Sequence, residues 1–363
     1  MPVLGIDASR AVKKEKTGVE WYSYFLLRAM EKLTPLGWSV RLYMRAGDDT
    51  WNIANDNWKW KELTWIKRGW TQGRLSLEMM KSPPDVLFVP SHTIPFIHPG
   101  KTLTTVHDVI FLTHSELYSP DDVASQKRGY EFALQFAKKI IVPTRAVRDD
   151  VMRAGAKEAQ VVVVPHGVDL GVRDLSADKA GQVLGARDIE QPYILFIGRV
   201  EKKKNVLGLV RAFRRVNRDV KLVLAGQLGY GGEEVLQEIK HLKLEDRVIH
   251  LGYVPRAEYF ELLARAALLV VPSFGEGFGL PVLEAMAQGT PVVCSDIPAL
   301  REVGGNAVRY VHPSDPEDIA RGIEDILNNE MLQSEMVRRG KERAGEYTWE
   351  RAARATWEVV TCL

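Results

Sequence analysis

Two carboxylates, Glu276 and Glu284, stand eight positions apart in the stretch SFGEGFGLPVLEAMAQGTPVVCS, Ser273 to Ser295. Three glycines, Gly275, Gly277 and Gly279, crowd around the first of them. With no Cβ in the way, such a loop turns tightly and lets backbone approach a ligand closely. The apolar run AALLVVP, Ala266 to Pro272, precedes it and reads as a buried parallel strand. A helix over Leu280–Gln288 follows, with Gly289 at its C-terminal stop. A strand, a glycine loop and a helix start together make an anion site, because free N–H groups and the helix dipole point into the loop. Glu276 then lies in the loop beside the anion, and Glu284 sits about one turn into the helix. A carboxylate next to a phosphate does not bind that phosphate. Both acids suit neutral hydroxyls such as those of sugars and riboses.

Other residues with chemical potential cluster where predicted strands end. YILFIG runs into RVEKKKN, so Gly198, Arg199 and Lys204 sit between a strand and a helix start. The two cations are suited to phosphate, Arg by bidentate contact and Lys as a compact charge; a solvated basic loop is the alternative. In TTVHDVIF, His107 closes a predicted strand, with Asp108 beside it as an orienting group. Gly226 and Gln227 end another strand. Thr17, Gly18 and Val19 precede the first helix, where Thr17 also reads as a simple cap. No Asp-x-Asp pattern is present; Asp48–Asp49 and Asp121–Asp122 read as a solvated loop and an acid-stabilised helix start.

These residues need a scaffold of alternating strands and helices, and the pattern supplies one from end to end. Strands are predicted at Val3–Asp7, Val40–Met44, Asp85–Val89, Leu103–Val106, Ile140–Pro143 and Val161–Pro165, then again from Tyr193–Ile197 through Val308–Val311. In the helix after Asn205, a predicted N-cap, Val206, Leu209, Val210 and Phe213 form one apolar stripe. At 363 residues the chain exceeds one ordinary core, so two domains are expected: 1–170 and 191–347, joined by a linker over 171–190. A net charge of +2 argues against nucleic acid as the main partner. Cys294 and Cys362, the only cysteines, form no disulfide or zinc pattern; Cys294 reads as a core residue. With no signal-peptide pattern at the start and no membrane-length apolar run, a cytoplasmic protein is expected, soluble or peripheral at the inner membrane face.

The Glu276/Glu284 spacing with its glycines, followed by GTPVVCSDIPALREV, resembles the Glu-x7-Glu motif of retaining, nucleotide-sugar-dependent glycosyltransferases of family 4. That resemblance implies the GT-B fold: two Rossmann-like, doubly wound α/β domains facing a central cleft, with helix 348–363 packing back on the first. Gly198, Arg199 and Lys204 match the family's G-R-x4-K pattern, which implies that they hold the donor diphosphate with the loop at Gly277, Phe278 and Gly279. Glu276 would then bind the donor sugar, Glu284 the ribose, and His107 would line the reacting face. Tyr253 and Val254, in HLGYVP, resemble the segment whose backbone reads the donor base, with Gln227 at the same edge; Thr17 and Gly18 resemble the N-terminal glycine loop. The resemblance implies no metal and no cofactor besides the nucleotide-sugar substrate, with a glycan or lipid-linked acceptor. GIDASR, SHTIP and TVHDVIF look closest to bacterial polysaccharide and O-antigen mannosyltransferases, so GDP-mannose is the first donor expected.

The rivals are a nucleotide-sugar epimerase or phosphorylase of the same architecture and a two-domain sugar-binding protein. A dehydrogenase is disfavoured because no G-x-G-x-x-G follows the first strand of either half. One cluster stands outside these motifs: Trp51, Trp58, Trp60, Trp65 and Trp70, interleaved with Lys59, Lys61, Lys67 and Arg68. It reads either as a strand pair packed on the first core or as a platform for acceptor or membrane surface.

Overall fold

The computed structural model describes residues 1–65, 69–168, 185, 187, 189 and 191–363. The expected linker, 171–190, lies outside the described residues apart from 185, 187 and 189, as do Lys67 and Arg68. The chain divides into two units. One comprises Met1–Ser115, Pro120–Gly167 and Tyr347–Leu363; the other comprises Glu116–Ser119 and Val168–Glu346.

The first unit is built on seven parallel strands: β1 (Val3–Asp7), β2 (Ser39–Arg45), β3 (Trp58–Leu63), β4 (Val86–Val89), β5 (Thr102–Thr105), β6 (Lys139–Val142) and β7 (Val161–Val163). Their order is β3-β2-β1-β4-β5-β6-β7. Central strands such as VLFV are apolar at every position because a parallel sheet is covered on both faces. The last helix, Trp349–Thr361, starts at Thr348, whose side chain accepts from Arg351 N, and joins this unit's core. There Trp357 Nε1 donates to Met30 O at 2.9 Å, satisfying a buried carbonyl in the last turn of the Gly18–Lys32 helix.

The tryptophan cluster departs from expectation. Instead of a strand pair there is one edge strand, β3, paired in parallel with β2 from Val40↔Trp58 to Arg45↔Leu63. It is reached by residues 46–57 with no crossover helix. Trp70–Leu75 is a π-helical turn leading into the helix Ser76–Lys81. Trp58 is 3% exposed and its Nε1 donates to Thr34 Oγ1 at 2.7 Å, so it belongs to the core and not to a surface platform. Trp70 is likewise buried, with Nε1 donating to Asp7 Oδ1 at 3.1 Å. Trp65 is the exposed member of the group.

The second unit has six parallel strands: β8 (Tyr193–Ile197), β9 (Lys221–Ala225), β10 (Val248–Gly252), β11 (Leu268–Val271), β12 (Val292–Ser295) and β13 (Arg309–Val311). Their order is β10-β9-β8-β11-β12-β13. Val206, Leu209, Val210 and Phe213 are fully buried against this sheet, and Cys294 lies in β12 as a core residue. Asn205 does not cap its helix as expected. Its backbone is left-handed at φ 54°, and its Nδ2 donates to Pro272 O (3.0 Å) and Pro313 O (2.6 Å). Those carbonyls lie beyond the ends of β11 and β13, so a planar amide serves them better than it serves a helix N–H. Among the described residues no helix is long and apolar enough to cross a membrane.

Trp58→Ala is expected to destabilise the first unit by about 3–5 kcal/mol, as large-to-small core changes do, and Trp65→Ala by clearly less. Urea-unfolding midpoints check this; equal losses would overturn the core assignment of Trp58.

Candidate functional site

In an open parallel sheet, ligands gather beyond the carboxyl ends of strands where the strand order reverses. In the second unit that point lies between β8 and β11. The loops leaving those two strands carry Gly198–Lys204 and Ser273–Gly279. Two glycines let the backbone pack closely at these strand ends. Gly226, at φ 153°, lies so near Gly198 that a Cβ would sit 1.9 Å from its carbonyl oxygen. Gly279, at φ 89°, starts the Leu280–Gln288 helix where a Cβ would meet Leu300 at 2.4 Å. At Gly226 the obstacle is backbone, so no other residue fits without backbone movement; at Gly279 the left-handed φ is what favours glycine.

The structure brings Lys204 and Glu276 together. Lys204 Nζ is 2.6 Å from Glu276 Oε1, which also accepts from Ser273 Oγ at 2.7 Å. Phe274 N donates to Lys203 O at 2.9 Å, pinning the glycine loop to the lysine turn. The Glu276 side chain is 9% exposed. Burial acts to raise its pKa, but the charges of Lys204 and Lys203 and the hydrogen bonds from Lys204 and Ser273 outweigh it and hold the carboxyl below its ordinary value. Glu276 is therefore ionised, and its Oε2 has no partner among the described residues. That oxygen is an acceptor for a ligand hydroxyl.

Glu284 is built differently. Its side chain is 5% exposed; Arg256 Nη2 donates to Oε1 at 2.6 Å and Tyr259 Oη donates to Oε2. Burial and the Glu284 charge both push the Tyr259 hydroxyl well above its ordinary pKa, which keeps it a donor. The Arg256 guanidinium also rests on the Phe260 ring, 4.3 Å from its centroid. Each carboxylate oxygen keeps a second lone pair, so Glu284 can still accept from a diol. Arg256 and Tyr259 were not among the sequence-predicted residues. They lie at the start of the Arg256–Arg265 helix, and only the packing of that helix against Leu280–Gln288 places them here.

Arg199 stands apart from the Lys204–Glu276 pair. It is 56% exposed and leans toward Glu201 at 3.6 Å, a weak surface contact that leaves it able to turn to an anion. Gln227 O accepts from Val200 N at 2.9 Å at the same edge. His250 Nε2 contacts Gly226 O at 2.8 Å and holds the end of β10, from which Tyr253 and Val254 continue.

In the first unit, the Gly18–Lys32 helix begins at Thr17. Glu20 accepts from Thr17 N at 3.2 Å and from Thr17 Oγ1, and is paired with Lys13 (2.8 Å) and Arg10 (3.1 Å). Burial opposes its ionisation, yet Lys13, Thr17 and Arg10 hold its pKa down to about 2. Thr17 and Gly18 thus form a helix start braced by its own third residue, in the manner of a capping box.

His107, beyond β5, contacts Pro90 O through Nε2 at 3.3 Å. Its ring meets Tyr22 edge-on at 4.7 Å and His166 at 5.4 Å. Burial is the main cause that lowers its pKa, to about 4, against the raising effects of Pro90 O and Asp108; His92 and Arg10 lower it further. His92 is also lowered to about 4, and His166 lies well below its ordinary value. His107 is a neutral imidazole at pH 7. Asp108 Oδ1 accepts from Ile110 N at 3.2 Å, so it braces the following turn. The histidine cluster with Tyr22 escaped the sequence reading because its members are scattered over residues 22–166.

The chain is similar to known proteins over both units. Residues 185–343 match the family described as glycosyl transferases group 1, and residues 16–172 match glycosyltransferase family 4. Over 262 residues it is 30% identical to the O-antigen chain mannosyltransferase B of Escherichia coli, covering 70% of this chain and 69% of that one. It is 29% identical over 274 residues to a D-inositol 3-phosphate glycosyltransferase of Paenarthrobacter aurescens, covering 73% and 66%. The chain thus spans about two thirds of the length of these relatives. Among solved structures, sucrose-phosphate synthase of Thermosynechococcus elongatus matches with a TM-score of 0.78 at 20% identity, covering 99% of this chain and 98% of that one. Anabaena HepE in complex with UDP-glucose matches with a TM-score of 0.75 at 17% identity over 100% of both chains. At such identities the likeness is one of fold.

The histidine cluster sets a pH dependence. A folded-state pKa of about 4 against an ordinary 6.5 means that the unfolded chain takes up the His107 proton first as pH falls. The stabilisation is complete above 6.5 and is lost progressively toward 4. Melting temperature is expected to fall across this window, and His107→Asn to shallow that fall. A fall of equal slope in the variant would remove His107 from the cause.

Proposed function

Because the chain belongs to the family 4 glycosyltransferases and has their GT-B fold, we propose that it is a retaining hexosyltransferase using a nucleotide-diphosphate sugar. Mannose from GDP-mannose is the first donor to test, since two of its relatives are named O-antigen chain mannosyltransferases. The acceptor would be a hydroxyl of a glycan or a lipid-linked glycan. The observation that carries the reading is the half-buried Lys204–Glu276 pair at the switch point of the second sheet.

In this reaction the bond between the anomeric carbon and the diphosphate oxygen breaks, and the nucleoside diphosphate leaves with the electron pair. The acceptor oxygen bonds to the same face of the sugar, and its proton passes to the leaving phosphate. Charge therefore grows on the diphosphate. Lys204, Arg199 and the loop N–H groups at Gly277, Phe278 and Gly279 are assigned to stabilise it. Glu276 Oε2 would accept from a donor-sugar hydroxyl, and Glu284, held by Arg256 and Tyr259, from the ribose diol. Gly198 and Gly226 shape the phosphate side; Tyr253, Val254 and Gln227 edge the base side. Neutral His107 takes a sugar-side role, and Thr17 and Gly18 belong to the acceptor side. Fixed cations replace a metal ion, so no metal or further cofactor enters the scheme.

Lys204→Ala is expected to lower kcat on the order of 100-fold or more, the usual cost of removing one charge-stabilising donor. Glu284→Ala should raise donor KM with a smaller effect on kcat, because ribose contacts exist in ground and transition states alike. Steady-state kinetics with radiolabelled GDP-mannose and UDP-hexoses check both. Unchanged donor affinity in Glu284→Ala would sink the ribose role.

Activity is also expected to survive EDTA. Complete loss, restored by magnesium or manganese, would overturn the assignment of leaving-group stabilisation to Lys204 and Arg199.

A further inference from the structure

At the opposite edge of the second sheet, before β9 and β10, three guanidinium groups line one pocket of about 610 Å³. Arg214 and Arg215 follow the Val206–Phe213 helix, and Arg247 precedes β10; Val216 and Asn217 complete the lining, and at its rim Glu324 Oε1 accepts from Asn217 N at 3.1 Å and Glu317 stands 3.5 Å from Arg215. A helix C-terminus favours cations and accounts for the first two arginines. It does not account for Arg247, which comes from another element and is held rigid without an ion pair. Arg247 Nη2 donates to Val216 O (3.3 Å) and Arg218 O (3.1 Å), and its guanidinium lies over Phe213, 4.6 Å from the ring centroid. Its Nε and Nη1 have no acceptor among the described residues. Arg214 makes no side-chain hydrogen bond or ion pair there, and Arg215 reaches only Arg211 O at 3.1 Å and Glu317 at 3.5 Å.

Glu317 answers Arg215 and Glu324 is bonded to the Asn217 backbone, which leaves the guanidinium donors of Arg214 and the Nε and Nη1 of Arg247 without an anion among the described residues. Guanidinium donors fit phosphate oxygens in pairs, and a pre-held Arg247 loses little entropy on binding. We propose that this pocket binds a phosphoryl group, in a site separate from the one at the carboxyl edge of the same sheet. The ligand is a phosphate mono- or diester of a soluble molecule or of a lipid headgroup; the chemistry is shared and the experiment separates the sources.

The test compares wild-type protein, Lys204→Ala, and the double variant Arg214→Gln/Arg215→Gln, whose side chains are exposed and whose unfolding midpoint should match wild type. Isothermal titration with inorganic pyrophosphate is paired with co-sedimentation on phosphatidylglycerol/phosphatidylcholine vesicles. Binding that persists in Lys204→Ala and weakens roughly tenfold or more in the double variant supports the site. A soluble ligand is indicated if pyrophosphate shows this pattern, and a lipid headgroup if only vesicles do. Equal binding of both probes by wild type and double variant, or binding lost only in Lys204→Ala, overturns the proposal. Because the double variant leaves the carboxyl edge untouched, its glycosyl transfer reports on the proposed activity independently.

Discussion

An ionised carboxylate held out of water must be matched, and the Lys204–Glu276 pair is where this constraint governs the second unit. Removing Glu276 from solvent is costly, and the nearby lysine and Ser273 outweigh that cost only because the geometry is tight. The rest of the switch point serves that geometry. Asn205 ties the carbonyls beyond β11 and β13 together, Phe274 N fastens the glycine loop to the lysine turn, and Gly226 lets the ends of β8 and β9 close on each other. A charged pair built this way is preorganised: it can meet charge developing on a ligand without first reorganising water.

Glu284 and Glu276 share a motif but live under different physics. Glu276 keeps an oxygen without a partner among the described residues, whereas Glu284 is gripped by Arg256 and Tyr259, with the guanidinium resting on Phe260. A carboxylate so held is a fixed acceptor with its orientation decided in advance, which suits selection of a diol over chemistry. The first unit uses the opposite device. His107 and His166, packed on Tyr22, and His92, beside Phe111, are kept neutral by burial, while Glu20 is kept charged by Lys13 and Arg10. Charge is held at the helix start, while the histidines stay neutral although Asp108 and Arg10 act on them.

Much of this architecture is legible in one dimension because a parallel α/β sheet writes itself locally. Runs such as YILFI, KLVLA and LLVV must be strands, since they are apolar on both sides and too short for helices. The helix Leu280–Gln288 announces both its ends through Gly279 and Gly289. Glycine loops at strand ends, with Lys204 and Glu276 inside them, therefore mark the site before any fold is known. Local signals fail where a residue's role is set by distant partners. Asn205 has the sequence look of a cap yet spends its amide on Pro272 and Pro313, and the alternation of Trp and Lys in β3 leaves two readings open, a strand pair on the core or a surface platform, between which only the burial of Trp58 decides.

The sequence by itself therefore determined the alternation of elements, the division into two units of parallel sheet and the identity of the loops that carry Gly198–Lys204 and Glu276. These follow from periodicity and from glycine, which act over a few residues. Only tertiary structure decided which charge meets which. Arg256 reaches Glu284 across 28 positions, Lys204 reaches Glu276 across 72, and Trp357 reaches Met30 across 327. Such pairings are properties of packing, since the strand order that brings these segments together is fixed by burial of both sheet faces and leaves no trace in local spacing.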